Sequence, residues 1–212
     1  MKHRYLSIPL SLAAALFVSG CFEYEERLVL NHDGSGKMEV HYFTGKDVNI
    51  DSDFGKLPKE KEDIRSEVER NYTSNKVKLT HFEVKDRDEN RHVYFTVSFQ
   101  DVLDLNELKQ FGDSRVEVDR RNDGVAYRRT LSVDGDWDDD RDDSFLGKLV
   151  KAIVAEALLE KIKFRFEVEM PDSISKSNAQ WVRNERVAVW RYRLWDLVHE
   201  RRVEMRAETH HD

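Results

Sequence analysis

Cys21 is the only cysteine among 212 residues. No disulfide can therefore form within the chain. Its sulfur can serve as a buried thiol, a reactive thiol or a point of attachment. Other groups concentrate elsewhere. Seven aspartates crowd into residues 134–143, DGDWDDDRDD, and could offer oxygen ligands to calcium. An EF-hand loop needs Gly at its sixth position and Glu at its twelfth. Counting from Asp134 puts Asp139 and Phe145 there, and counting from Asp138 puts Asp143 and Leu149 there. Neither register fits, so the segment reads as a solvated acidic loop ahead of a helix. His32, His41, His81, His92 and His199 are dispersed, with no H-x-x-x-H pair of a helical zinc site, and His210 and His211 close the chain. There is no G-x-S-x-G, no S-x-x-K and no glycine-rich phosphate loop. The sequence carries no catalytic signature, and the reading assigns neither metal nor cofactor. Trp181, Trp190, Tyr192 and Trp195 interleave with Arg183, Arg186, Arg191 and Arg193. Such a patch can touch lipid heads, glycan or protein. The alternation nevertheless places Trp190 and Tyr192 on the core side of a strand, with the arginines in solvent.

The context of Cys21 decides among its chemistries. The chain opens with the basic stretch Met1-Lys2-His3-Arg4 and continues uncharged from Tyr5 to Val18. That is the layout of a secretory signal. The apolar run falls short of the roughly 20 residues a membrane span needs. It ends Val18-Ser19-Gly20-Cys21, which resembles the lipobox of bacterial lipoproteins. The resemblance implies a diacylglyceryl thioether on Cys21, cleavage after Gly20 and removal of residues 1–20. Burial of acyl chains is worth about 0.8 kcal/mol per CH₂, so two or more chains hold a protein firmly on a bilayer. Phe22 is not the Asp that retains such proteins on an inner membrane, so the resemblance implies the outer membrane where the organism has one.

Removal of residues 1–20 leaves 192 residues, enough for one domain spanning 21–212. Loss of Lys2 and Arg4 takes the formal charge from −7 to −9. That balance argues against nucleic acid, which needs a basic face. Hydrophobic residues at 39% suffice for a core.

The elements read mostly as strands. FEYEERLVL, the turn NHDGSG and KMEVHYF predict a first hairpin, with Met38, Val40 and Tyr42 inward. Residues 58–72 predict a surface helix with the narrow stripe Ile64, Val68 and Tyr72. KVKLTHFEV and HVYFTVSF predict a second hairpin, residues 104–111 a short helix, and SRVEVDRR-NDG-VAYRRTLSV a third hairpin. Residues 145–162 carry Phe145, Leu149, Ile153 and Ala157 on one line beside Leu146, Val150, Val154 and Leu158, the pattern of a main amphipathic helix. KFRFEVEM, a strand pair centred on Trp190, the helical turn WDLVHE and RRVEMRAET complete the chain. Hairpin order implies antiparallel pairing. The expected fold class is α+β, a curved antiparallel sheet built from hairpins and packed on the one main helix, with one or two minor helices.

The segments LVLNHDGSGKMEV and FRFEVEMPDSISKSNAQWVRNERVAVWRYRL, with Pro171, Asn178 and Trp190, resemble the LppM-type bacterial lipoprotein domain. Asp172 and Ala179 stand where that family commonly has glycine. The resemblance implies an envelope-associated, non-enzymatic protein binding lipid or glycolipid, and no catalytic residue carries over. The expectation is a ligand held between the sheet and the helix 145–162, lined by Leu149, Ile153, Phe164, Phe166, Trp190 and Tyr192. The alternative is an interaction module that docks an envelope protein through the Arg/Trp-rich segment or the acidic loop. Intact mass of the membrane-extracted protein should give a chain starting at Cys21 with added acyl mass. A chain retaining residues 1–20 unmodified, or a Cys21→Ala variant equally retained on membranes, would sink the anchor.

Overall fold

The structure is a computed structural model that describes residues 22–45, 60–88, 90–112, 114–132, 161–200 and 202–210. Cys21, Gly20, the acidic stretch 134–143 and nearly all of the predicted helix 145–162, with Leu149 and Ile153, lie outside them.

Strand β1 (Glu23–Leu30) buries every second residue, so Tyr24, Glu26, Leu28 and Leu30 face inward while Glu23, Glu25, Arg27 and Val29 face the other way. A turn at Asn31–Ser35 leads to β2 (Gly36–Gly45). Asp33 accepts a hydrogen bond from the Ser35 amide, and Gly34 takes the positive φ of 85° the turn requires. Helix α1 (Lys61–Tyr72) buries the predicted stripe Ile64, Val68 and Tyr72. The β3 (Lys78–Arg87) and β4 (Asn90–Phe99) hairpin follows, then two short 3₁₀ segments, Val102–Glu107 and Lys109–Phe111. β5 (Arg115–Arg121) and β6 (Gly124–Ser132) form the third hairpin. After residue 160 come β7 (Lys163–Glu169), β8 (Ile174–Ser177), β9 (Trp181–Arg183), β10 (Val187–Arg193), helix α2 (Leu194–Glu200) and β11 (Arg202–Thr209).

These strands make two sheets. The larger has the order β3-β4-β2-β1-β7-β10-β9 and the smaller β5-β6-β11-β8. Their inner faces meet in one hydrophobic cluster that includes Phe95, Phe111, Phe164, Phe166, Trp190 and Met205. Helix α1 covers the β3–β4 end, with Tyr72 edge-on to Phe95 at 4.6 Å.

The fold class therefore differs from the α+β expectation. The described protein is mostly β, two sheets burying each other, and not one sheet on a main amphipathic helix. Alternation along a strand marks which face is buried but not what buries it. The all-antiparallel expectation also fails at one seam, because β1 and β7 pair in parallel. Residues 104–111 are 3₁₀ turns broken at Leu108, started by the Asp101 side chain accepting from the Leu103 amide. The stretch read as loop before Asn178 contributes β8 to the smaller sheet.

A buried polar network joins the two sheets. Arg129 of β6 forms an ion pair with Glu26 of β1, and both are almost fully buried. The guanidinium lies between the rings of Phe111 at 4.6 Å and Phe166 at 5.2 Å. Tyr24 donates to Glu26 at 2.9 Å, and its hydroxyl lies 3.4 Å from that of Tyr72 on α1. Burial pushes both phenols well above their ordinary range. Burial alone would lower the Arg129 pKa, but the charge and hydrogen bond of Glu26, with Tyr127 and Tyr24, together outweigh it and the net shift is upward. Removing one partner of a buried pair strands the other charge, at about 3–5 kcal/mol. Arg129→Met should lose stability on that scale in chemical denaturation, and Glu26→Leu/Arg129→Met should recover most of the loss. A double variant as unstable as the sum of its singles would contradict this account.

Candidate functional site

The face of the larger sheet turned away from the core is polar and charged. Cross-strand pairing arranges it in rows. One row runs Glu83, Tyr94, His41, Glu25, Arg165, Arg191 across β3, β4, β2, β1, β7 and β10. The next runs His81, Thr96, Glu39, Arg27, Glu167, Val189, Trp181. A groove of about 680 Å³ lies over the middle of these rows. A second cavity of about 470 Å³ opens over β1, β7 and β10, and Glu25 and Arg165 line both.

The groove is an ion-pair ladder. Arg27 reaches Glu169 at 2.6 Å and Glu39 at 3.8 Å. Glu167 receives Arg165 and, at 2.8 Å, Arg183. His41 stacks on Tyr94 with ring centroids 4.2 Å apart, sets Nδ1 3.3 Å from a Glu25 carboxylate oxygen, and sets Nε2 3.1 Å from His92 Nδ1. The hydrogen bond with His41, aided by Arg165, holds the Glu25 carboxyl below the usual range. Burial, and then the neighbouring His41, lowers the His92 pKa. A histidine oriented by a carboxylate is the core of a general base. Here both ring nitrogens of His41 are already engaged, by Glu25 and His92.

The second cavity has a different character. Arg165 stands directly opposite Arg191, and Lys163 directly opposite Arg193. Like charges facing each other across a ladder are destabilising. Lys163 is 3.3 Å from Glu23, and Arg193 forks onto Asp196 at 2.8 Å. Arg191 has no carboxylate within 4 Å among the described residues and lies 4.6 Å over the Trp181 ring. The cavity sits at the end of β1 where the chain enters from Cys21.

Of the sequence-predicted lining residues, half-buried Tyr192 and the core residue Phe164, 2% exposed, border this cavity from the core side. Phe166 and Trp190 are buried in the core, the former 6.1 Å from the Tyr24 ring, the latter donating its indole N–H to Asn178. Arg191 and Arg193 are exposed, as the alternation predicts. The His41–His92 contact escaped sequence reasoning because the two lie 51 residues apart and meet only through β2–β4 pairing.

A family model described as LIC11874-like matches residues 16–201. The chain belongs to the LIC11874-like family. No curated protein matches it. Among solved structures, the LIC11874-like chain is similar to the folded domain of LppM from Mycobacterium tuberculosis, determined by NMR. The two are 12% identical with a TM-score of 0.48, over 93% of this chain and 94% of that one. No helix among the described residues of this LIC11874-like protein is long and apolar enough to cross a membrane.

The titrating pair gives a signed pH dependence. His92 is held below its unfolded value, so its stability contribution is present above about pH 6.5 and is lost as pH falls through the lower folded value. Glu25 is likewise depressed, so its contribution is present above about pH 4.5 and is lost as pH falls through its folded value. Melting temperature should fall in two windows on acidification. His92→Gln should flatten the first and leave the second, and an unchanged first window would remove His92 as its source.

Proposed function

We propose that this LIC11874-like chain is a lipid-anchored, non-enzymatic bacterial envelope protein that binds the anionic head of an amphiphile in the cavity over β1, β7 and β10. The carrying observation is the pair of opposed cations, Arg165 against Arg191 and Lys163 against Arg193, lining one cavity. An anionic group set among them relieves the cross-strand repulsion. The lipobox-like Val18–Cys21 supports the anchor, and the family match takes in those residues. Only Phe22 separates Cys21 from β1, so an acylated Cys21 would hold this cavity close to the bilayer. On this reading the protein sits in the envelope, on the outer membrane where there is one.

The ligand site differs from the space between sheet and helix 145–162 in one respect. It opens on the polar face of the larger sheet, whereas the described inner faces are filled by each other. A second reading rests on β9, where Trp181 is 39% and Val182 43% exposed. Exposed aromatic and aliphatic groups on a three-residue strand suit a protein partner in the envelope.

Fluorescent phosphatidic acid titrated into the detergent-extracted chain should bind with salt-sensitive affinity. Arg165→Ala/Arg191→Ala should weaken it at least tenfold while leaving the melting temperature unchanged or raised. Unchanged affinity in that variant would overturn the cavity assignment. Selective loss of a co-purifying protein on Trp181→Ala would favour the second reading.

A further inference from the structure

We infer that His41 and His92 form a binding site for a late first-row divalent transition ion, Cu²⁺ foremost, at the edge of the groove over β4, β2 and β1, which His41 lines. The two imidazoles come from diagonal positions of the β2–β4 ladder, His41 opposite Tyr94 and His92 opposite Phe43. His41 Nε2 and His92 Nδ1 face each other at 3.1 Å, and the rings are inclined by only 12°. Two cis nitrogens about 2.0 Å from a tetragonal Cu²⁺ stand about 2.8 Å apart, and two at about 2.0–2.1 Å from a tetrahedral ion about 3.3 Å apart. The nitrogen separation thus lies within the span of a chelate, and closing it on a metal turns both rings off their mutual hydrogen bond, with the His92 proton on Nε2.

The surroundings bias the site the same way. Glu25 accepts from His41 Nδ1 at 3.3 Å, which leaves Nε2 as the lone-pair nitrogen. A carboxylate behind a ligating imidazole fixes its tautomer and raises its basicity. Arg165 at 3.6 Å holds Glu25 from the far side. Tyr94 stacks on His41, and Phe43 lies 5.1 Å from His92, so both imidazoles are walled by rings. Lys85 stands directly opposite His92 on β3, and its ammonium is turned onto Glu83 at 2.8 Å. Arg87 and Asp88 also act on His92, with opposite signs. No third His, Cys, Asp or Glu joins the pair among the described residues, so water from the groove would complete the coordination. Imidazole nitrogens with open positions favour Cu²⁺ over Zn²⁺ and Ni²⁺ by the usual order of stabilities.

The test titrates Cu²⁺ into the detergent-extracted full chain carrying His210→Ala/His211→Ala, which removes the terminal imidazoles. At pH 7.5 one equivalent should bind with an electron paramagnetic resonance signal split by two imidazole nitrogens. His41→Gln and His92→Gln should each raise Kd at least tenfold, and Glu25→Gln about tenfold. Variant-free support comes from NMR, where substoichiometric Cu²⁺ should broaden the His41 and His92 ring signals before any others. Unchanged affinity in both histidine variants, or first broadening elsewhere, would overturn the site.

Discussion

The ion pair between Glu26 and Arg129 holds the two sheets in a single arrangement. Two charges in an apolar interface are costly, and close partners on each offset that cost. Phe111 and Phe166 enclose the guanidinium, and Tyr24 hands a hydrogen bond to the carboxylate. The same network touches α1 through Tyr72. A slip of β1 by one residue would drive Glu26 out of the interface and Glu25 into it. The outer groove is therefore specified from behind. Glu25 and Arg27 can stand in it because Glu26, between them, is committed to the other side.

The outer face follows the same logic with weaker forces. Exposed ion pairs add little stability singly. Their value here lies in order, since each row of the ladder puts an acid beside a base over most of the sheet, until β7 and β10. There the alternation breaks, and cations face cations. A sheet with no use for that end would lose nothing by placing glutamate at residue 191.

Much of the local structure was legible in the sequence. The turns around Gly34 and Gly124, the inward set Met38, Val40 and Tyr42, and the stripe of α1 all follow from period and turn chemistry. Assembly was not legible. Strand alternation is identical whether a strand's neighbour is next in sequence or far away, so the parallel β1–β7 seam and the split into two sheets left no local mark. The buried charges were hidden for a related reason. Glu26 and Arg129 occupy inward positions of otherwise apolar strands, in YEERLVL and AYRRTLS, and each reads as a surface residue until its partner is known. The histidine pair and the opposed cations depend on register between strands that are not sequence neighbours. The resemblance stretches, by contrast, pointed to Asn178 and Trp190, and these bond each other and tie β10 to the β8–β11 edge through the Arg206 amide.

The parallel seam also sets a timetable. β1 leaves the ribosome well before β7, its partner on one side, which begins 140 residues later. Until β7 is made, none of the described strands pairs with this edge of the first hairpin, EYEERLVL. Closing so long a loop is slow, because its entropy must be met before the pairing rewards it. The glutamates and arginine along that edge keep it soluble while it waits. A chain stopped before residue 163 would have the turns and the first three hairpins, but β1 would lack its parallel partner and the larger sheet three of its seven strands.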